Sequence, residues 1–75
     1  MDVGVARTFL EIVKTGSFVG AAANLNLTQT AISARIRGLE TQLERLLFVR
    51  NKAGAKLTPA GEQFLRFATT MVQVW

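Results

Sequence analysis

Beyond Thr28 the large apolar residues keep to one spacing: Ile32, Ile36, Leu39, Leu43 and then Leu46 or Leu47, at steps of four, three, four and three or four. With about 100° between successive residues, these steps stack side chains on a single stripe of an α-helix. Thr28 is suited to cap the N-terminus, and the spacing predicts a helix over residues 28–45. Such a stripe must be covered by the rest of the chain. No other feature limits the fold as much, because the chain has 75 residues and neither cysteine nor histidine. Disulfides are excluded and a structural zinc site has lost its usual ligands. Packed helices, with or without a second chain, remain to hold the chain together.

The cover comes from three further segments. Val5, Phe9, Ile12 and Val13 fall on one face of a predicted first helix over residues 3–15, which Gly16 is suited to end. Ser17 then caps a short second helix carrying Phe18, Ala21, Ala22 and Leu25, whose alanines let another helix come close. Asn24 and Asn26 mark its end, since asparagine tolerates the left-handed conformation. Thr58-Pro59 opens a fourth helix with the stripe Phe64, Ala68, Met71 and Trp75. That stripe is still running at Trp75, as expected of a fragment. Between the third and fourth helices, residues 47–50 and 56–58 are β-prone and flank a loop containing Gly54. They predict a two-stranded hairpin, which must lean on the helices to be stable. Phe9, Phe18, Leu25 and Phe48 read as core.

The net charge of +4 lies entirely in residues 28–57, where Arg35, Arg37, Arg45, Arg50, Lys52 and Lys56 face only Glu40 and Glu44. This suits either a surface that meets a polyanion or a solvated basic face, and charge alone does not separate the two. The hydrophobic fraction of 49% leaves apolar surface for a partner. No apolar run approaches the roughly 18 residues of a membrane span, and the N-terminus lacks a secretory pattern, so no membrane role and a cytoplasmic location are expected. With histidine, cysteine and tyrosine absent, the carboxylates scattered and no glycine-rich phosphate loop, neither an enzyme nor a metal site is expected.

With the Ile/Leu stripe facing inward, the other side of the third helix carries Thr30, Ala34, Arg37 and Thr41, flanked by Ser33 and Gly38. Most are small, and a helix on the floor of a major groove needs a low profile. Gly38 costs about 1 kcal/mol relative to alanine. Close approach to a duplex would explain it, as would packing on another helix or a mere loosening of the helix's C-terminal part, and the first reading is preferred. Gln29 can hydrogen-bond an adenine edge bidentately or simply support the cap in solvent. Arg35 and Arg37 suit phosphates, and Arg37 a base. The alternative for Arg37 is a pair with Glu40 worth about 0.2–0.5 kcal/mol. Arg50, Lys52 and Lys56 on the hairpin suit the sugar-phosphate backbone. Glu40 and Glu44 would repel phosphate, so the N-terminal half of the helix should enter the groove. The stripe Phe64, Ala68, Met71 and Trp75 can pack on the first helix or form a dimer seam, with the early turns internal and the later ones between subunits. A module that binds protein, or an amphipathic peptide on a membrane surface, are the rival classes.

The residues also resemble a known family. Phe9-Leu10-Glu11-Ile12-Val13, Gly16-Ser17-Phe18, Ala21-Ala22 and Leu25 are similar to the opening of LysR-type transcriptional regulators. Leu27-Thr28-Gln29-Thr30-Ala31-Ile32-Ser33, Ile36-Arg37 and Leu39-Glu40 resemble their recognition helix, and Leu43, Leu47-Phe48, Arg50 and Leu57-Thr58-Pro59-Ala60-Gly61 complete the pattern. The resemblance implies a mainly α winged helix-turn-helix domain over residues 1–58. Its helix-turn-helix would span 18–37 and its wing 47–58, and residues 59–75 would begin a linker helix that pairs two subunits. It implies sequence-specific binding of double-stranded DNA through Thr28, Gln29, Thr30, Ser33, Ala34, Arg35, Arg37, Arg50, Lys52 and Lys56, and a homodimer through Phe64, Ala68, Met71 and Trp75. A tetramer is the larger assembly that the resemblance admits. No cofactor is expected in this domain; a small-molecule co-inducer would bind a further domain absent from this chain. Three positions depart from the family pattern: Glu44 replaces a usual glycine, and Ala34 and Ala53 replace frequent arginines.

Overall fold

The computed structural model describes residues 2–74. The elements run α1 (Val3–Thr15), α2 (Phe18–Leu25), α3 (Gln29–Leu43), β1 (Phe48–Asn51), β2 (Gly54–Leu57) and α4 (Pro59–Val74). Each helix begins where a short polar side chain can take a free backbone amide. Val5 N–H donates to Asp2 Oδ1, Gly20 N–H to Ser17 Oγ, Ala31 N–H to Thr28 Oγ1 and Gly61 N–H to Thr58 Oγ1, at 2.9–3.1 Å. The first three helices end in left-handed residues, Gly16, Asn26 and Glu44. Of these only Glu44, at φ 53°, has neither glycine's freedom nor asparagine's tolerance of that region.

Phe9 and Ile12 of α1, Ala21 of α2, Ile32, Ile36 and Leu39 of α3, and Phe64 and Ala68 of α4 meet in one core. Phe9 lies at its centre, with its ring centroid 5.1 Å from that of Phe48 and 4.9 Å, edge-on, from that of Phe64. The hairpin therefore contributes a core residue of its own.

The hairpin is antiparallel, pairing Phe48 with Leu57, Val49 with Lys56, Arg50 with Ala55 and Asn51 with Gly54. Its turn is shorter than the expected five-residue loop, with Lys52 and Ala53 at the tip and Asn51 Oδ1 accepting from Ala53 N–H at 2.8 Å. It is fastened at both ends. Ala55 N–H donates to the Gly16 carbonyl at 2.9 Å, and Thr58 N–H donates to the Leu47 carbonyl at 3.0 Å.

The third helix is shorter than its apolar spacing predicts. It stops at Leu43, which is 41% exposed, and Leu46 is 68% exposed, while Leu47 is buried. The left-handed turn at Glu44 swings the chain back, so that Leu47 enters the core from a loop rather than from the helix. Glu40 secures this bend: its Oε2 accepts from the amide of Leu47 at 2.7 Å and of Phe48 at 3.4 Å.

Candidate nucleic-acid interface

Gln29, Thr30, Ala34, Arg37, Gly38 and Thr41 are exposed along one side of α3, and Ser33 is half-buried at its edge. Thr28, which caps the helix, is exposed as well. The protein's own side chains leave this flank uncovered. A Cβ at Gly38 would meet nothing within 4 Å, so packing against another helix of the chain does not explain the glycine. The open space leaves two readings of Gly38, a looser C-terminal part of α3 or room for the approach of something outside the chain.

Two arginines frame the flank, and the structure gives each a partner that the sequence did not disclose. Arg35 stands two positions from Ser33, about 200° around the helix. It turns toward α1, where its Nη1 donates to Thr8 Oγ1 at 3.1 Å. Thr8 is fully buried and in turn donates to the Gly4 carbonyl. Arg50 lies on the other border. Strand alternation puts it on the same face of β1 as the buried Phe48. Its guanidinium carbon sits 3.8 Å from the centroid of the Phe18 ring, and its Nη1 donates to Ser33 Oγ at 3.3 Å. Arg37 lies between these borders, exposed, beside the cleft that separates α3 from β1. Lys52 at the tip and Lys56 on β2 are exposed on the hairpin.

The basic residues thus divide into two kinds. Arg37, Lys52 and Lys56 present their charge outward, whereas Arg35 and Arg50 are tethered to neighbouring elements. Of the two acidic residues on α3, Glu40 spends its carboxylate on the amides that begin β1, and Glu44 sits at the exit from the helix. Among the DNA-facing candidates, Gln29, Thr30, Ser33, Ala34 and Arg37 share one surface of α3. Phe18, Thr8 and Glu40 are the residues of this region that sequence reasoning missed in this role. Phe18 read only as core, Thr8 went unremarked, and Glu40 read as a repulsive charge or a partner for Arg37.

The stripe on α4 requires a correction. Phe64 and Ala68 are 8% and 0% exposed inside the subunit, packed with α1, and Met71 is half-buried against the same core. Phe64 and Ala68 fill the interior and so cannot also form a seam between subunits, in line with the reading that kept the early turns internal. Trp75 lies outside the described residues. The apolar residues of α4 that do face outward are Phe67 and Val74.

A slim exposed helix preceded by a short helix across a tight turn, with a basic hairpin beside it, defines a winged helix-turn-helix domain. Residues 5–62 match the family model for bacterial regulatory helix-turn-helix proteins of the lysR family, and the chain belongs to that family. It is 48% identical over its full 75 residues to an HTH-type transcriptional regulator HdfR of Yersinia enterocolitica, and 45% identical to one of Yersinia pestis. The chain spans only 26% of the length of either relative. Among solved structures it resembles the CbnR_DBD-DNA complex, with a TM-score of 0.94 and 28% identity, over 99% of this chain and 85% of that one. It also resembles the BenM_DBD/catB site 1 DNA complex, with a TM-score of 0.91 and 32% identity, over 97% and 82%. Among the described residues no helix is long and apolar enough to cross a membrane.

Proposed function

We propose that this chain is the DNA-reading part of a bacterial transcriptional regulator. It binds double-stranded DNA sequence-specifically, with the N-terminal half of α3 in the major groove and the hairpin on the adjoining sugar-phosphate backbone. The observation that carries this reading is the open flank of α3, narrow enough at Ala34 and Gly38 to lie against base edges and framed by cations. Gln29, Thr30 and Ser33 read bases, and Arg37, Lys52 and Lys56 hold phosphates. The two matched structures are complexes with DNA, which supports DNA binding by a domain of this fold.

Two copies of α3 meeting successive major grooves, about 34–36 Å apart on straight DNA, would require a homodimer. On this reading pairing runs through α4 and uses its outward residues Phe67 and Val74. The working location is the cytoplasm, the chain carries out no catalysis of its own, and a small co-inducer binds a part of the regulator outside this chain.

Selection of bound duplexes from a random pool tests the proposal, followed by titration of the enriched duplex at several salt concentrations. A defined motif is expected, with log affinity falling by about 0.9 per phosphate contact for each unit of log salt. No enrichment together with a flat salt response would refute DNA reading and favour a protein partner.

A further inference from the structure

On the reading that α3 meets DNA, we propose that Arg50 is a positioning residue that holds Ser33 as a hydrogen-bond donor, so that Ser33 selects a base presenting an acceptor in the major groove. The guanidinium is fixed in two ways at once, stacked 3.8 Å from the Phe18 centroid and donating from Nη1 to Ser33 Oγ at 3.3 Å. A guanidinium can only donate, so in this pair the serine oxygen is the acceptor. The serine proton is left for a partner outside the protein. Four helix hydroxyls place their protons within their own helix, and Thr8 does so while also accepting from Arg35. The hydroxyls of Thr8, Thr15, Thr69 and Thr70 donate to the carbonyl four residues earlier, whereas the Ser33 contact reaches across to the wing. The adjacent cation also opposes a second donor, such as an adenine or cytosine amino group, at the same oxygen. The acceptor edges that fit are purine N7, guanine O6 and thymine O4.

Lysine cannot replace this device. It has no planar fork to stack on Phe18 and no fixed direction for its donors, although it keeps the charge. Arg50 thereby differs from Lys52 and Lys56, whose exposed ammonium groups suit phosphates on any sequence.

The test uses the duplex that the chain enriches and compares Ser33→Ala, Arg50→Lys and the double variant. Each is titrated against all four base pairs at the step where Ser33→Ala lowers discrimination. Each single variant is expected to lower the preference for the acceptor-bearing base about fivefold, the worth of one hydrogen bond. The double variant should lose no more than either single one, and Arg50→Lys should leave the salt slope unchanged. Phe18→Leu, which removes the platform under the guanidinium, should lower the same discrimination, with the unfolding midpoint measured alongside to confirm that the variant is folded. Independent effects that multiply to about 25-fold would overturn the proposal, as would intact discrimination in Arg50→Lys. A parent chain that binds no duplex in a salt-dependent way would refute DNA reading itself, and this inference with it. Discrimination that persists in Arg50→Lys would remove the inference alone.

Discussion

At Gly54 and Gly61 an added Cβ would collide with a carbonyl oxygen, that of Gly16 and of Leu47 respectively, whereas at Gly38 it would meet no atom within 4 Å. The first two glycines lie on the seam between the hairpin and the helices, and the third on the outer flank of α3. On the seam, the missing side chain lets two backbones touch, and the wing keeps one orientation beside the recognition helix. On the flank, the fold gains nothing from the missing side chain and gives up helix propensity for it. Substitutions should therefore separate a glycine required by folding from one required by something the chain binds.

The largest effect is expected at Gly61. It is buried on α4 against the Leu47 carbonyl and the Leu57 side chain, and backbone cannot rotate away as a flexible side chain can. Gly61→Ala should cost about 3 kcal/mol, read from the midpoint of urea unfolding, since overpacking a tight site forces the backbone to move. A loss below the error of the measurement would mean that α4 slides freely on the hairpin. Gly54→Ala comes next. It adds the same kind of collision to a left-handed φ of 133°, and about 2 kcal/mol of destabilisation is expected. Because the hairpin is tied to the α1–α2 turn through Ala55, chemical-shift changes should spread from the wing to Gly16 and Ser17. Changes confined to the wing tip would show that this tie does not hold in solution.

The same division explains what could be read in advance. Caps are local, and Ser17, Thr28, the Thr58-Pro59 pair, Gly16 and Asn26 all stand where their residue types suggested. The inward faces of α1 and α3 were legible as far as Leu39 because apolar spacing reports burial directly. Spacing does not report what covers a stripe. Phe64 and Ala68 continue a pattern suited to a seam between subunits, yet their partner is α1 of the same chain. Nor does it report where a helix stops when the apolar steps continue through a turn, as they do from Leu43 to Leu47. The two arginine tethers were beyond reach for another reason. Arg50 meets Phe18 and Ser33, and Arg35 meets Thr8, across separations that only the packed fold closes.

Glu44 is the opposite case, a left-handed position without a glycine. It ends α3 at φ 53° and ψ 37°, with its amide bonded to the carbonyls of Glu40 and Thr41. The geometry is the one a glycine cap would adopt, so the departure from the family pattern leaves the exit from the helix in place and adds strain to it. Glu44→Gly should stabilise the chain by about 1 kcal/mol, seen as a higher unfolding midpoint with an unchanged slope. Glu44→Ala retains the Cβ and should recover little of this. Equal gains from both would indicate that relief of charge, rather than of backbone strain, was responsible.

Gly38→Ala carries the smallest change in stability and the most informative sign. With open space around the added methyl group, alanine should stabilise the folded chain by about 0.9 kcal/mol through helix propensity alone. If the flank of α3 rests against a duplex, the same methyl group occupies the space where backbone and DNA approach. Affinity for the selected duplex should then fall while the unfolding midpoint rises. Opposite movements of the two quantities separate a requirement of binding from one of folding. Tighter folding with unchanged DNA affinity would leave Gly38 without the role in the groove assigned to it, and would confine the contact to the turns of α3 nearer Gln29.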